Sequence, residues 1–184
     1  HGIKNWKHVV MAPTAKNPSL LAGKVDTICT FTNIGPILRK GAKKQGAKIH
    51  AITFTDWGLD LAGTGVIAPE KTVRGKKDLV QRFVQGTFKG LAWAVENPDD
   101  AVGIFLRLHP AKGRKITRAE WDVWARHLVT DAAKKNGIGY MDPKKMARTV
   151  NIAVDYMKLP PVKTEDLFTN EFLPKLFPVY KPLS

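Results

Sequence analysis

The spacing of apolar positions changes character about a third of the way along the chain. Up to that point the apolar residues come in short runs rich in branched side chains: Val9 to Ala12 (VVMA), Val25 to Phe31 (VDTICTF) and Ile49 to Phe54 (IHAITF). Their length and composition are those of strands. Between the second and third, Pro36 to Gln45 reads as a helix, with proline near its start and Gly46 at its stop. Strand, helix, strand is the repeating unit of a parallel sheet. Gly63 to Pro69 (GTGVIAP) is a fourth strand candidate, and the glycine-rich stretch around it, Gly58 to Gly65, suits a crossing between lobes because glycine leaves the backbone free.

Beyond this crossing the period becomes helical. Leu79, Val80, Phe83, Val84, Phe88, Leu91 and Val95 recur at helical spacing, behind Asp78 as N-cap and ahead of the stop Asn97-Pro98. Asp99 and Asp100 open a shorter helix, Ala101 to Leu108, closed by His109 and Pro110. Thr117 and Glu120 have the spacing of a capping box, which predicts a helix from about Arg118 to Lys135, ahead of Gly137. Asp142-Pro143 starts another, with Met146, Val150, Ala153, Val154 and Met157 on one side and an end before Pro160-Pro161. Thr164 opens a last short helix through about Phe172. A strand-rich front and a helix-rich back predict an open parallel sheet that looks incomplete, with polypeptide expected upstream.

Composition alters this picture little. With 43% hydrophobic and 25% charged residues the chain has an ordinary globular make-up. Thirty Lys and Arg against 16 acidic residues give a net charge of +14, which raises nucleic-acid binding as a possibility. The basic residues are scattered as pairs (Lys43-Lys44, Lys76-Lys77, Lys134-Lys135, Lys144-Lys145), without zinc-finger spacing or an aromatic RNA-binding signature, so a basic solvated surface is the better account and no nucleic-acid partner is expected. The single cysteine, Cys29, excludes an internal disulfide and reads as a small core residue. No stretch approaches the roughly 18 apolar residues of a membrane span. No export signal heads the sequence, which for an exported protein implies a mature or truncated form.

Catalytic machinery is hard to find. The serines are Ser19 and Ser184, without a G-x-S-x-G elbow, and the five histidines have no metal-ligand spacing. Neither glycine-rich phosphate-binding pattern is present. Trp121 and Trp124, three apart on a helix, read as packing residues. Two places release polar and aromatic residues together at strand ends: Thr30-Phe31-Thr32-Asn33 and Thr55-Asp56-Trp57-Gly58. Ligands of open parallel sheets bind beyond the carboxyl ends of strands. Aromatic walls from Phe31 and Trp57, with hydrogen bonds from Thr32, Asn33 and Asp56, suit a small flat polar molecule. The alternative is turn chemistry, in which Asn33 and Asp56 bond their own backbone.

Several of these segments also resemble a known family. The run Pro18 to Phe31 (PSLLAGKVDTICTF), then Asp56-Trp57-Gly58-Leu59 with Gly65-Val66-Ile67-Ala68, then the helix Leu79 to Val95 followed by Glu96-Asn97-Pro98-Asp99-Asp100-Ala101, are similar in order to segments of the substrate-binding proteins for nitrate, sulfonate, taurine and thiamine-pyrimidine precursors. Gly139-Tyr140-Met141-Asp142 and Leu167 to Leu173 (LFTNEFL) resemble that family's closing pattern.

The resemblance implies a type II periplasmic-binding-protein fold, α/β, in which two lobes close on a solute. On that reading the chain is the C-terminal portion: residues 1–62 would be part of the second lobe, and 63–184 the hinge crossing and the return to the first. It would be a periplasmic or extracellular receptor, free or lipid-anchored, serving the membrane permease of an ABC importer and binding a small polar or anionic organic solute without a cofactor or metal. Thr14, Thr30, Phe31, Asn33, Asp56 and Trp57 would contact the solute. The rival reading is a biosynthetic enzyme of the pyrimidine-precursor type. Two departures bear on it: Asn33-Ile34-Gly35 stands where the pyrimidine branch has Asn-Ile-Glu, and Cys29 stands alone where the related enzyme has a cysteine-rich tract.

Overall fold

The computed structural model describes residues 4–174, which divide into two compact units at residues 51 and 52. In the first unit α1 (Pro13–Leu21) packs against α2 (Gly35–Lys44). Proline stands near the start of each helix, where a missing N–H costs nothing. Leu38 and Ala42 of α2 are the buried residues of this small core. Gly41 is what allows the close approach: a Cβ there would stand 2.7 Å from the Leu21 side chain. As the sequence predicts, α2 ends with Lys43 and Lys44 in its last turn and Gly46 in a left-handed conformation just beyond.

The second unit is helical: α3 (Glu70–Gly75), α4 (Lys77–Glu96), α5 (Pro98–Leu108), α6 (Arg114–Leu128), α7 (Asp131–Asn136) and α8 (Pro143–Met157). Its core joins Ala92 and Val95 of α4, Ala125 of α6 and Ile138 after α7, covered by Phe88, Leu91, Trp121, Leu128 and Val129. Trp121 thus packs as its helical position suggests, with Trp124 beside it at a ring separation of 5.6 Å. Arg118 ties α5 to α6, binding Asp99 on one helix and Asp122 on its own at 2.8 Å. Those hydrogen bonds, donated to Asp122 and then to Asp99, hold its guanidinium pKa above the usual arginine value.

Several expectations need correction. Among the described residues none of the four strand candidates lies in a β-ladder, so the parallel sheet of the α/β reading is not formed within them. The physical reason is the lack of partners: a strand is defined by hydrogen bonds to a neighbour. Here Val10, Ile52 and Ile67 are 86%, 78% and 94% exposed, so the runs are uncovered. Cys29, expected in the core, is exposed for the same reason.

Helix ends moved too. Lys76, not Asp78, is the N-cap of α4; Asp78 lies in its first turn, paired with Arg82 at 2.9 Å. Leu79 and Phe83 face solvent, because the buried stripe of α4 runs through Val84, Ala92 and Val95 instead. The single helix expected from Arg118 to Lys135 is two. The first begins earlier, after Gly113, whose carbonyl accepts a hydrogen bond from the Thr117 hydroxyl at 3.1 Å, so Thr117 is inside the helix rather than capping it. The break falls at Thr130, whose side chain accepts from Ala133 N–H and caps α7. The last segment forms only a 3-10 turn, Thr164–Asp166, and Phe172 is buried beyond it.

Candidate functional site

In the first unit, Thr30 and Phe31 lead into the 3-10 turn Thr32–Ile34, which passes without interruption into the N-terminus of α2. Phe31 has extended backbone, its carbonyl accepts from Ile34 N–H at 3.1 Å, and its ring is exposed. Asn33 is half-buried within the turn. Thr14 lies in the first turn of α1, and Lys16, two residues further along that helix, donates from Nζ to the Cys29 carbonyl at 3.5 Å. This contact brings the start of α1 toward the segment carrying Thr30 and Phe31. Arg39 was not singled out by the sequence, yet its guanidinium folds back over Gly35, where a Cβ would meet it at 3.0 Å. A helix N-terminus and a guanidinium together favour an anionic or electron-rich group beside Asn33.

In the second unit, Asp56 and Trp57 lie in the 3-10 turn Thr55–Trp57, with both side chains exposed. Gly58 closes this turn in a left-handed conformation at φ 80°, which an L side chain rarely adopts. The carbonyl of Phe54 accepts from Trp57 N–H at 3.2 Å and from Leu59 N–H at 2.9 Å, so the turn is bridged at its base. The hydroxyls of Thr53 and Thr55 lie 3.1 Å apart and hydrogen-bond to each other.

The segment after this turn is fastened to α8. Arg148 donates to the Gly58 carbonyl, Lys145 Nζ donates to Asp60 at 2.6 Å, and Ala62 N–H donates to the Thr149 hydroxyl at 2.9 Å. Lys145, Arg148 and Thr149 are spaced i, i+3 and i+4, one side of a helix, and that spacing is the one sign of them the sequence carried. Nothing in it tied them to a turn about ninety residues away. The six residues expected to contact a solute therefore divide: Thr14, Thr30, Phe31 and Asn33 belong to the first unit, Asp56 and Trp57 to the second. Among the described residues, no group of three or more His, Cys, Asp or Glu side chains is placed to hold a metal ion. Nor is any helix among them long and apolar enough to cross a membrane.

Comparison with known proteins bears on what these turns are for. The family model described as "NMT1/THI5 like" matches residues 2–101, more than half of the chain. The chain belongs to the NMT1/THI5-like family. Membership implies the periplasmic-binding-protein fold, although the described residues are helical and hold no strand. The chain is also similar to the riboflavin-binding protein RibY of Chloroflexus aurantiacus, at 25% identity over 164 residues, which is 85% of this chain and 44% of that protein. It thus spans less than half the length of this relative. No solved structure matches it. Family and relative together support a solute-binding role and point to a binding protein rather than an enzyme.

Proposed function

We propose that the chain is the ligand-contacting, C-terminal portion of an extracytoplasmic receptor that delivers a small planar solute to the permease of an ABC importer. The observation that carries this reading is the exposed Trp57, 66% accessible on a glycine-closed turn beside Asp56 and braced from behind by α8. A large aromatic ring left mostly in water forgoes much of the free energy of its burial, which a stacked ligand would restore. Phe31, 73% exposed and two residues before Asn33, offers the first unit a ring of the same kind. Thr14 and Thr30 supply further hydroxyls, and Asp56 orients a ring substituent through its carboxylate.

Riboflavin, which the relative's name specifies, has the chemistry such side chains recognise: a flat heteroaromatic ring with donors and acceptors along its edge. The uncovered apolar runs at Val10, Ile52 and Ile67 support a longer protein, in which preceding polypeptide supplies the remaining strands. The share of the relative that the chain spans supports it as well. The test is calorimetric titration of the longer protein with riboflavin, thiamine-type pyrimidines, taurine and nitrate. Binding of one planar ligand is expected, weakened about tenfold or more by Trp57→Ala, since base-sized stacking contributes about 1–3 kcal/mol. If no ligand binds, or if the one that binds does so equally well after Trp57→Ala and Phe31→Ala, the reading is wrong.

A further inference from the structure

The three contacts that α8 makes with the segment after Trp57 are unequal. Lys145 and Asp60 form a solvated ion pair with side chains 37% and 55% exposed, which salt screens. Thr149 receives the N–H of Ala62, five residues past Trp57, while donating to the Lys145 carbonyl at 2.8 Å. Arg148 acts much closer to the ring. It donates to the carbonyl of Gly58, the residue that follows Trp57 and carries the left-handed φ of the turn. The N–H of that same peptide unit, on Leu59, donates to the Phe54 carbonyl at the base of the turn. One peptide plane is therefore held from both sides, by the turn's own beginning and by a charged, planar donor from a helix far along the chain. A charge-assisted hydrogen bond is stronger than a neutral one and fixes direction as well as distance.

We infer that Arg148 is the positioning residue of Trp57: by fixing the Gly58–Leu59 peptide it sets the direction in which the Thr55–Trp57 turn presents its indole, without touching the ligand. This rests on the reading of Trp57 as a ligand-stacking residue, but it also has a consequence that needs no ligand. With the protein's five tryptophans replaced by 5-fluorotryptophan, Trp57→Phe identifies the Trp57 fluorine resonance. Arg148→Met is expected to shift or broaden that resonance and to leave those of Trp93, Trp121 and Trp124 in place. Arg148→Lys, which keeps the charge and a donor but loses the planar fork, should give a smaller change in the same direction.

A second arm uses riboflavin as probe. Arg148→Met should weaken its binding about tenfold, the scale of one charged hydrogen bond. In a Trp57→Ala background the same change should cost nothing further, because two residues acting through one contact are not additive. A Trp57 resonance unmoved by both Arg148 variants overturns the inference, as does movement of all the tryptophan signals together. Full additivity of Arg148→Met with Trp57→Ala overturns it too. Should wild-type protein fail to bind riboflavin, the functional reading loses its ligand, while the fluorine spectra still decide the positioning role.

Discussion

Single positions in this chain are constrained by geometry that their chemistry alone does not announce. Gly139 shows the strongest constraint. Its φ is 92°, and a Cβ there would come within 2.7 Å of Phe88 Cδ1 and closer still to the neighbouring ring atoms. Phe88 packs on the core formed by Ala92, Val95, Ala125 and Ile138, so the ring has little room to retreat. Both the backbone and the packing penalise a side chain at this position. Gly139→Ala should therefore cost roughly 2–3 kcal/mol. Urea denaturation should show a clearly lowered midpoint with an unchanged slope. A midpoint within error of wild type would mean that the Gly137 to Tyr140 loop relaxes freely. The sequence marked Gly139 through its resemblance to a family's closing pattern; the reason for glycine there is a steric one that involves a residue 51 positions away.

Helix ends were read well where the cap is local and poorly where neighbours compete. Asp142 is the clear success: its carboxylate accepts from Lys144 N–H at 2.8 Å and Lys145 N–H at 3.0 Å, with Pro143 at the first helical position. Asp142→Ala should cost about 1 kcal/mol. In a protein of this length that is a drop of about 2–4 °C in melting temperature, measurable by circular dichroism. A loss of solute affinity would not make Asp142 a ligand residue: α8 also carries Arg148, so any such loss should track the Trp57 fluorine signal. At α6 the local signal misled. Thr117 and Glu120 have capping-box spacing, yet the helix begins four residues earlier, at Arg114 rather than Arg118, and the Thr117 hydroxyl bonds back to the Gly113 carbonyl. Arg118 sits in the same stretch and is drawn to Asp99 of α5, a tertiary contact that no window along the sequence contains.

For the molecule as a whole, the feature that organises the rest is apolar surface left open. Val10, Ile52, Phe54, Val66 and Ile67, all in or beside the strand candidates, are exposed. Residues of this kind in contiguous stretches mark surfaces that another element covers. The chain by itself should bind anilinonaphthalene sulfonate strongly and self-associate as its concentration is raised. The longer protein should do neither. Equal dye binding by the two would show that no further polypeptide covers these runs. The net charge of +14 acts at this level too. Association with duplex DNA should be weak, indifferent to sequence and abolished between roughly 50 and 200 mM salt, because only counterion release would drive it.

The linear order of residues was sufficient for whatever depends on neighbours within one or two turns. The helical period of the back half, the stop at Gly46 and the Asp142-Pro143 start were all legible there, because each is set by local propensity, capping or backbone freedom. Folding in three dimensions settled the remainder. It determined that the branched runs find no ladder partner among the described residues, that α4 buries Val84 and Val95 and turns Leu79 to water, and that Arg148 reaches the turn of Trp57. The physical reason is the range of the interactions. A strand, a buried face and a long-range hydrogen bond each require a partner whose position along the chain is arbitrary, and only the folded arrangement supplies it.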